Sequence, residues 1–501
     1  MQAKKKSVIN IASGLFGQFM TIVCGVLIPR LVMVSYGSEI NGLLNSVGQI
    51  FIYFGLFEAG IGTASVQALY APVARNNRGD IQGILVATKK FYYKTGLLYF
   101  FAVVLLAFLY PLILNTSIPY WKIFFIIFFG GAGNCLNFFY QGKYTVLLSA
   151  EGKNYVNTNI TTLTNTLTSV AKVILLLLGY NVLAVQFSYF VICFVQVLVY
   201  AIYLRRNYSW IDWKVAPNNQ AISQKNSTLI HQIASVIFYN TDPLILTSIT
   251  HDLKIVSVYT IYNMVTSMVT ALVQQLSQGI SFRLGQLFNT ERKQYIVLHH
   301  ICEMVYLTLA FASMTTTYIV FPSFIKLYTK GVTDINYYQE LYPLLFVLIP
   351  LFTIGRTSLN NLIYYAAHFK QTQWSAVIEC VINISISVVG VWKFGIYGVL
   401  IGSVVSVLYR TVYMILYSYK NILFDNPWKT IKRWLVCIAL FIIMVLLVPT
   451  KDLVANNYFE VILYGVVAGV ISLTVYFLSL CVTNRKETQD IWNLVRGIIG
   501  R

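Results

Sequence analysis

Eight ionisable residues fall inside long apolar runs, and their types define the chemistry open to this chain. Arg30, Lys172, Arg356 and Arg410 are the bases; Glu58, Asp242, Glu303 and Glu379 are the acids. A charge held in hydrocarbon is costly, so such residues face a bundle interior or a polar cavity and mark pathways for ions or substrates. Asp242 is followed by Pro243. A proline lacks an N–H and crowds the carbonyl four residues back, here that of Tyr239, so the helix opens beside a carboxylate that could serve a cation or a gate. Glu58 lies in Phe57-Glu58-Ala59-Gly60-Ile61-Gly62. Small residues permit close helix approach there, and Glu58 is either a coupling-proton site or the partner of a buried arginine such as Arg356. Arg30 either lines a cavity or snorkels to the outer headgroups. Lys172, Glu303, Glu379 and Arg410 read more simply as snorkelling or interface charges, and the histidines as interfacial.

The elements that must position these residues are set by composition. Hydrophobic residues make up 57% of the 501 and charged residues 11%, with a mean hydropathy of +0.68, more apolar surface than a soluble core can hide. A helix needs about 20 apolar residues to cross a bilayer. Such spans are expected at 8–34, 40–70, 92–113, 121–148, 156–178, 182–204, 228–250, 255–282, 295–321, 340–364, 373–393, 396–418, 432–449 and 459–482. Runs of this length exclude barrel strands of about 10 residues. The fold class is therefore all-α, a polytopic membrane bundle of about 14 transmembrane helices.

Alternate loops carry most of the positive charge. With the N-terminus inside, 26 of the 36 Lys and Arg fall on the cytoplasmic side, from Lys4 to Lys6 at one end to the segment from Arg485 to Arg501 at the other. The positive-inside rule then places both termini in the cytoplasm. This topology accounts for the net charge of +19, so nucleic acid is not an expected partner and anionic membrane lipids are. The first span, well beyond the length of a signal-peptide core, is expected to stay in the mature protein. The seven cysteines show no CxxC and no spacing with histidine that suggests zinc; no metal and no cofactor is expected.

The chain also repeats itself. Lys153 after the fourth span is echoed by Lys370 after the tenth, and the turn Gly179-Tyr180-Asn181-Val182 by Gly395-Ile396-Tyr397-Gly398, each at an offset of about 216. Two parallel six-helix lobes follow, 7–206 and 226–420, related by an axis along the membrane normal around a central cavity. Residues 207–225 form the cytoplasmic inter-lobe linker, 432–482 two additional helices, and 483–501 an amphipathic tail for the inner leaflet. Arg30 and Asp242 occupy equivalent helices of the two repeats.

The stretch Tyr36-Gly37-Ser38-Glu39-Ile40-Asn41-Gly42-Leu43-Leu44, followed by Phe57 to Ala64 and Leu69-Tyr70-Ala71-Pro72, resembles the second-helix region of bacterial polysaccharide or O-antigen repeat-unit flippases (Wzx-type) of the multidrug/oligosaccharidyl-lipid/polysaccharide exporter superfamily. Asn240 to Leu246, Val258 to Tyr262, and Ile378-Glu379 through Val399 extend the resemblance over nearly the whole chain. It implies alternating access coupled to H+ or Na+, moving an undecaprenyl-diphosphate-linked oligosaccharide across the cell membrane beside a polysaccharide polymerase and other assembly proteins. A diphosphate needs cations, and arginine binds phosphate through a two-pronged fork. Arg30, Arg356 and Arg410 are thus the expected diphosphate ligands, with Asp242 and Glu58 for ion coupling or gating. Gln18, Asn45, Gln49, Asn134, Asn137, Gln274 and Gln278 would supply polar walls for the sugar.

Three other readings stay open. A multidrug exporter of the same superfamily would want an acidic cavity, whereas four bases here balance four acids; a lipid II flippase would share both fold and anionic lipid. A membrane polysaccharide polymerase would show a sizeable outer loop or clustered catalytic acids. The longest outer loop, about 322–338, carries only Asp334, so the chain is not expected to be an enzyme.

Overall fold

A computed structural model describes residues 2–58, 61–219, 233, 236–238, 240–366, 368–450, 453 and 455–499. Ala59 and Gly60, linker residues 220–225, most of the seventh span before residue 240, His231, Lys451 and Arg501 lie outside the described residues. Among those described, every regular element is helical, and 12 helices are long and apolar enough to cross a membrane. This is a multi-pass membrane protein.

The first long helix, α1 (Gln2–Gly55), breaks at Gly37, where φ is 85° and ψ 170°, a backbone state that only glycine adopts without strain. Before the break Gly17 lies against Thr162 and the Tyr36 hydroxyl donates to the Tyr180 carbonyl at 2.5 Å, so the chain climbs alongside α6 (Asn154–Leu177). After it Ser46 meets Tyr110 at 2.5 Å, Glu58 accepts from Tyr92, and Leu69 shares a core with Ile84. That is a descent along α3 (Arg78–Ile113). One residue therefore reverses the chain between the first two spans.

A short turn at Leu56–Glu58 leads to α2 (Ile61–Ala74). The fourth span is α4 (Tyr120–Leu136), a wide π turn at Asn137–Gln141, and α5 (Gly142–Ala150); α7 runs Val182–Asn207. Beyond it lie α8 (Asp242–Thr250), α9 (Leu253–Thr290), α10 (Arg292–Tyr328), α11 (Tyr342–Gly355), α12 (Thr357–Tyr365), α13 (Phe369–Phe394) and α14 (Ile396–Ser418). A second π turn, Tyr419–Leu423, precedes α15 (Trp428–Leu447), α16 (Tyr458–Thr483) and α17 (Arg485–Ile499).

The chain divides into two compact units, Met1–Ser257 and Val258–Arg501. Within the first, α8 and the start of α9 are tied to α1 by polar contacts: Ser46 to Thr247 at 2.8 Å and Asn41 to Ser257 at 2.7 Å. The first half of the expected linker is a strap on this unit. Tyr208 and Ile211 are buried in its core, the Asn218 N–H donates to the Gly83 carbonyl at 3.0 Å, and the Trp213 ring lies 5.1 Å from the Lys89 ammonium and 5.2 Å from that of Lys143. Within the second unit α13 and α14 are in backbone contact. A Cβ on Gly398 would stand 2.1 Å from the Gly390 carbonyl carbon, so no larger residue fits there.

Candidate functional site

Each unit holds polar groups that the apolar spans do not need. In the first they line a pair of adjoining cavities of about 360 and 260 Å³ that share Ile28, Pro29, Lys172 and Tyr189. Their polar wall comes from α6. Eleven of the sixteen residues from Asn154 to Ser169 are Asn, Thr or Ser, and Thr162, Asn165, Thr166, Ser169 and Lys172, spaced three or four apart or adjacent, share one helix face. Those five, with Thr168, line the larger cavity. Hydroxyls in a helix usually bond back to their own carbonyls, as Thr164 does to Ile160 at 2.9 Å. The Thr166 and Thr168 hydroxyls are instead buried without a hydrogen-bond partner.

The second cavity adds Asn41, Asn45, Asn134 and Gln186. Asn134 accepts from the Tyr189 hydroxyl at 2.7 Å, which fixes the ring, and the Lys172 ammonium sits 5.5 Å from that ring's centroid. Lys172 is the one charged residue among the described residues lining either cavity; no carboxylate lines them. Such a wall offers a cation, hydroxyls and amides, a donor-rich set suited to a hydroxylated, anionic ligand.

In the second unit one polar arrangement is an ion cluster. Arg356, at the break between α11 and α12, donates to Glu379 on α13 at 2.9 Å. The Arg410 Nε on α14 lies 3.7 Å from the other carboxylate oxygen, and its Nη1 donates to the Thr372 carbonyl at 3.2 Å and to the Ser375 hydroxyl. All three ionic side chains are buried. Two guanidinium groups share one carboxylate, leaving one positive charge, and the Nε and Nη1 of Arg356 have no hydrogen-bond partner.

The other residues singled out in the sequence are placed as follows. Arg30 is half-buried on α1 beside Pro29, which lines both cavities. Glu58 takes its hydrogen bond from Tyr92, while Glu379 is the acid that meets Arg356. Asp242 is buried in the first turn of α8 after a bend at Thr241, with Pro243 in that first turn, where its missing N–H leaves no bond unmade. Asn45 and Asn134 line the second cavity, the Gln49 Oε1 is buried without a partner, and Gln274 is exposed. The side chains of Gln18, Asn137 and Gln278 lie outside the described residues.

Sequence reasoning missed two things. Lys172 reads in the sequence as a snorkelling base, although the run of Asn and Thr preceding it is a legible signal of a polar wall. Arg433 closes a basic stretch, Lys429, Lys432 and Arg433, that reads as a loop; it is fully buried, bonded to Glu303 at 2.5 Å, Glu487 at 2.7 Å and Asn484 at 2.9 Å. Thr430 completes the Glu303 shell at 2.8 Å. His300 lies 3.8 Å from both Glu303 and Asp425, packed inside rather than at an interface.

No protein-family model matches the chain, and no curated protein matches it in sequence. Solved structures do. The fold is that of MurJ and the MATE transporters. The lipid II flippase MurJ in an inward closed conformation superposes with a TM-score of 0.66 at 13% identity, covering 94% of this chain and 99% of MurJ. An inward-facing multidrug resistance MATE family transporter of the MOP superfamily gives 0.63 at 15%, covering 79% and 94%. A MATE in a bent conformation gives 0.54 at 14%, covering 83% and 95%. The MurJ fold thus extends over nearly all of this chain, the MATE fold over about four-fifths. The neighbours are transporters and flippases.

Proposed function

We propose that this chain is a flippase that moves undecaprenyl-diphosphate-linked oligosaccharide repeat units from the inner to the outer leaflet of the bacterial cell membrane for surface polysaccharide synthesis. Both termini lie in the cytoplasm on this reading, as the loop charges require. The observation that carries it is the chemistry of the described polar walls: cations in excess, amides and hydroxyls in number, and no carboxylate in the first-unit cavities. A drug exporter would need acids there to meet organic cations. An anionic, polyhydroxylated headgroup needs what is present.

Arg356 and Arg410 are the diphosphate ligands on this reading, aided by Arg30. Their shared Glu379 holds the guanidinium planes in place and leaves the free N–H edge of Arg356 for phosphate oxygens. Glu58 and Asp242 are the groups assigned to H+ or Na+ coupling or gating, and alternating access follows the pattern of repeat-built transporters. Anionic lipids, the polymerase and other assembly proteins are the proposed partners; transport, not bond chemistry, is the activity.

A second reading has its own support. The likeness to MurJ over 94% of the chain favours lipid II as the substrate. One experiment separates these readings. Full-length protein in proteoliposomes would be offered fluorescent undecaprenyl-diphosphate trisaccharide, lipid II and a cationic dye, and the share of each reaching the opposite leaflet read by dithionite quenching. Movement of the trisaccharide lipid supports the proposal; movement of lipid II alone or of the dye alone replaces it.

A further inference from the structure

The first-unit cavity carries a cation that the diphosphate does not account for. We infer that Lys172 pairs with an acidic group on the glycan itself, a sugar carboxylate, and that the α6 face beside it is the subsite for that sugar. This rests on the flippase reading above and names the class of glycan.

Charge matching is the first argument. A diphosphate carries more charge than one ammonium neutralises, and pairs of its oxygens suit the planar arginine fork better than the point charge of a lysine. A carboxylate carries one charge and accepts from one ammonium. Among the described residues lining the cavity no carboxylate competes for Lys172.

The wall is the second argument. Thr168 is 7% exposed, and its hydroxyl, like that of Thr166, is buried without a hydrogen-bond partner although both residues line the larger cavity. A buried hydroxyl left unmatched costs stability, so a wall that holds two of them beside a lone ammonium is built for a ligand that brings its own hydroxyls. Asn165 and Ser169 extend the same face. The Tyr189 ring, held by Asn134, offers an apolar plate of the kind that packs on the C–H face of a pyranose. A cavity of about 360 Å³ is within the range of small-ligand sites.

The test uses full-length protein in proteoliposomes and two synthetic undecaprenyl-diphosphate trisaccharides, one ending in a uronate and one in the corresponding neutral hexose. Wild type is expected to move the uronate lipid in preference. In Lys172→Gln the ratio of uronate to neutral transport falls about tenfold, the size of one charge-assisted bond, and Lys172→Arg restores most of it. An unchanged ratio overturns the inference, because the cation would then serve the diphosphate shared by both lipids. A second readout needs no transport. Cys24 lines the larger cavity as a half-exposed free thiol; in full-length protein with the other six cysteines replaced by Ala, soluble uronate trisaccharide should slow its alkylation by N-ethylmaleimide more than the neutral trisaccharide does. If wild type moves neither lipid, the flippase reading fails, and the thiol still decides the subsite: selective protection supports it, and equal or no protection overturns it.

Discussion

The two units treat buried charge in opposite ways. In the second, each buried arginine finds a carboxylate: Arg433 meets Glu303 and Glu487, and Arg356 and Arg410 meet Glu379. In the first, half-buried Lys172 faces amides, hydroxyls and a tyrosine ring, and buried Lys143 lies against the rings of Tyr140, Tyr144 and Trp213. Pairing makes a charge structural, because removing one partner strands the other. A base whose surroundings supply no acid contributes little to folding and is retained for what enters from outside. Intramembrane position alone therefore says little; the neighbours decide.

The largest effect should come from breaking the fully paired hub. Arg433→Met leaves Glu303 buried and uncompensated, at a cost of about 3–5 kcal/mol, read as a large drop in the thermal unfolding midpoint in lipid nanodiscs. Adding Glu303→Gln should recover part of the loss, since the stranded charge is then gone. No drop in the single variant would remove the contrast between the units.

The Arg356–Glu379–Arg410 cluster lies between the extremes and sharpens the comparison. If its surplus charge serves substrate, Arg356→Gln lowers flipping of the glycolipid more than tenfold at little cost in stability, because Arg410 and Glu379 remain paired, while Glu379→Gln strands two buried guanidinium groups, costs about 3–5 kcal/mol of stability and lowers flipping less. Equal loss of flipping and stability in both variants would make the cluster purely structural. For Lys172 the expected sign is reversed. Lys172→Met should leave stability unchanged or raise it by up to about 1 kcal/mol, since no acid is orphaned; a midpoint falling as far as that of Arg433→Met would show that the lysine is structural.

The smallest effect concerns Asp425, 3.8 Å from His300 at the edge of the Arg433 hub. Partial burial pushes its pKa up, but the Asn426 N–H at 2.7 Å and the Lys429 ammonium at 3.3 Å outweigh this. The carboxyl stays below the ordinary 3.8. The folded value is the lower one, so the stabilisation is complete above the unfolded pKa and disappears as pH falls through the folded value. Asp425→Asn should therefore lower the unfolding midpoint slightly at pH 7 and not at all well below pH 3.8, a pair of melting curves that also tests the sign.

Much of this was open to a reader of the sequence. Long apolar runs have one solution in a bilayer, so among the described residues the expected spans fall where helices stand, the seventh lying largely outside them, and the gap expected between residues 34 and 40 holds the break at Gly37. The bases inside those runs were equally visible. What could not be read was company: Arg356 and Glu379 are 23 residues apart on different helices, and nothing local says that they meet. Arg433 follows Lys429 and Lys432 and so looked like one more loop base. The Asn and Thr run of α6 was plain to see, yet which side of the helix faced a cavity depended on α1 and α7.

That run also bears on how the protein reaches the membrane. The first two-thirds of α6 is mostly amide and hydroxyl, and its continuous apolar part is the short stretch Val170 to Leu177, interrupted by Lys172. An insertion machinery that reads hydrophobicity would hold this segment more weakly than the helix that follows it. Its successor α7 is strongly apolar and follows after a tight turn at Gly179, where φ is 75°. The two helices are then threaded as one hairpin, the greasy helix carrying the wet one, and glycosylation mapping of chains truncated before Val182 and after Asn207 would show α6 lodged more fully once α7 is present.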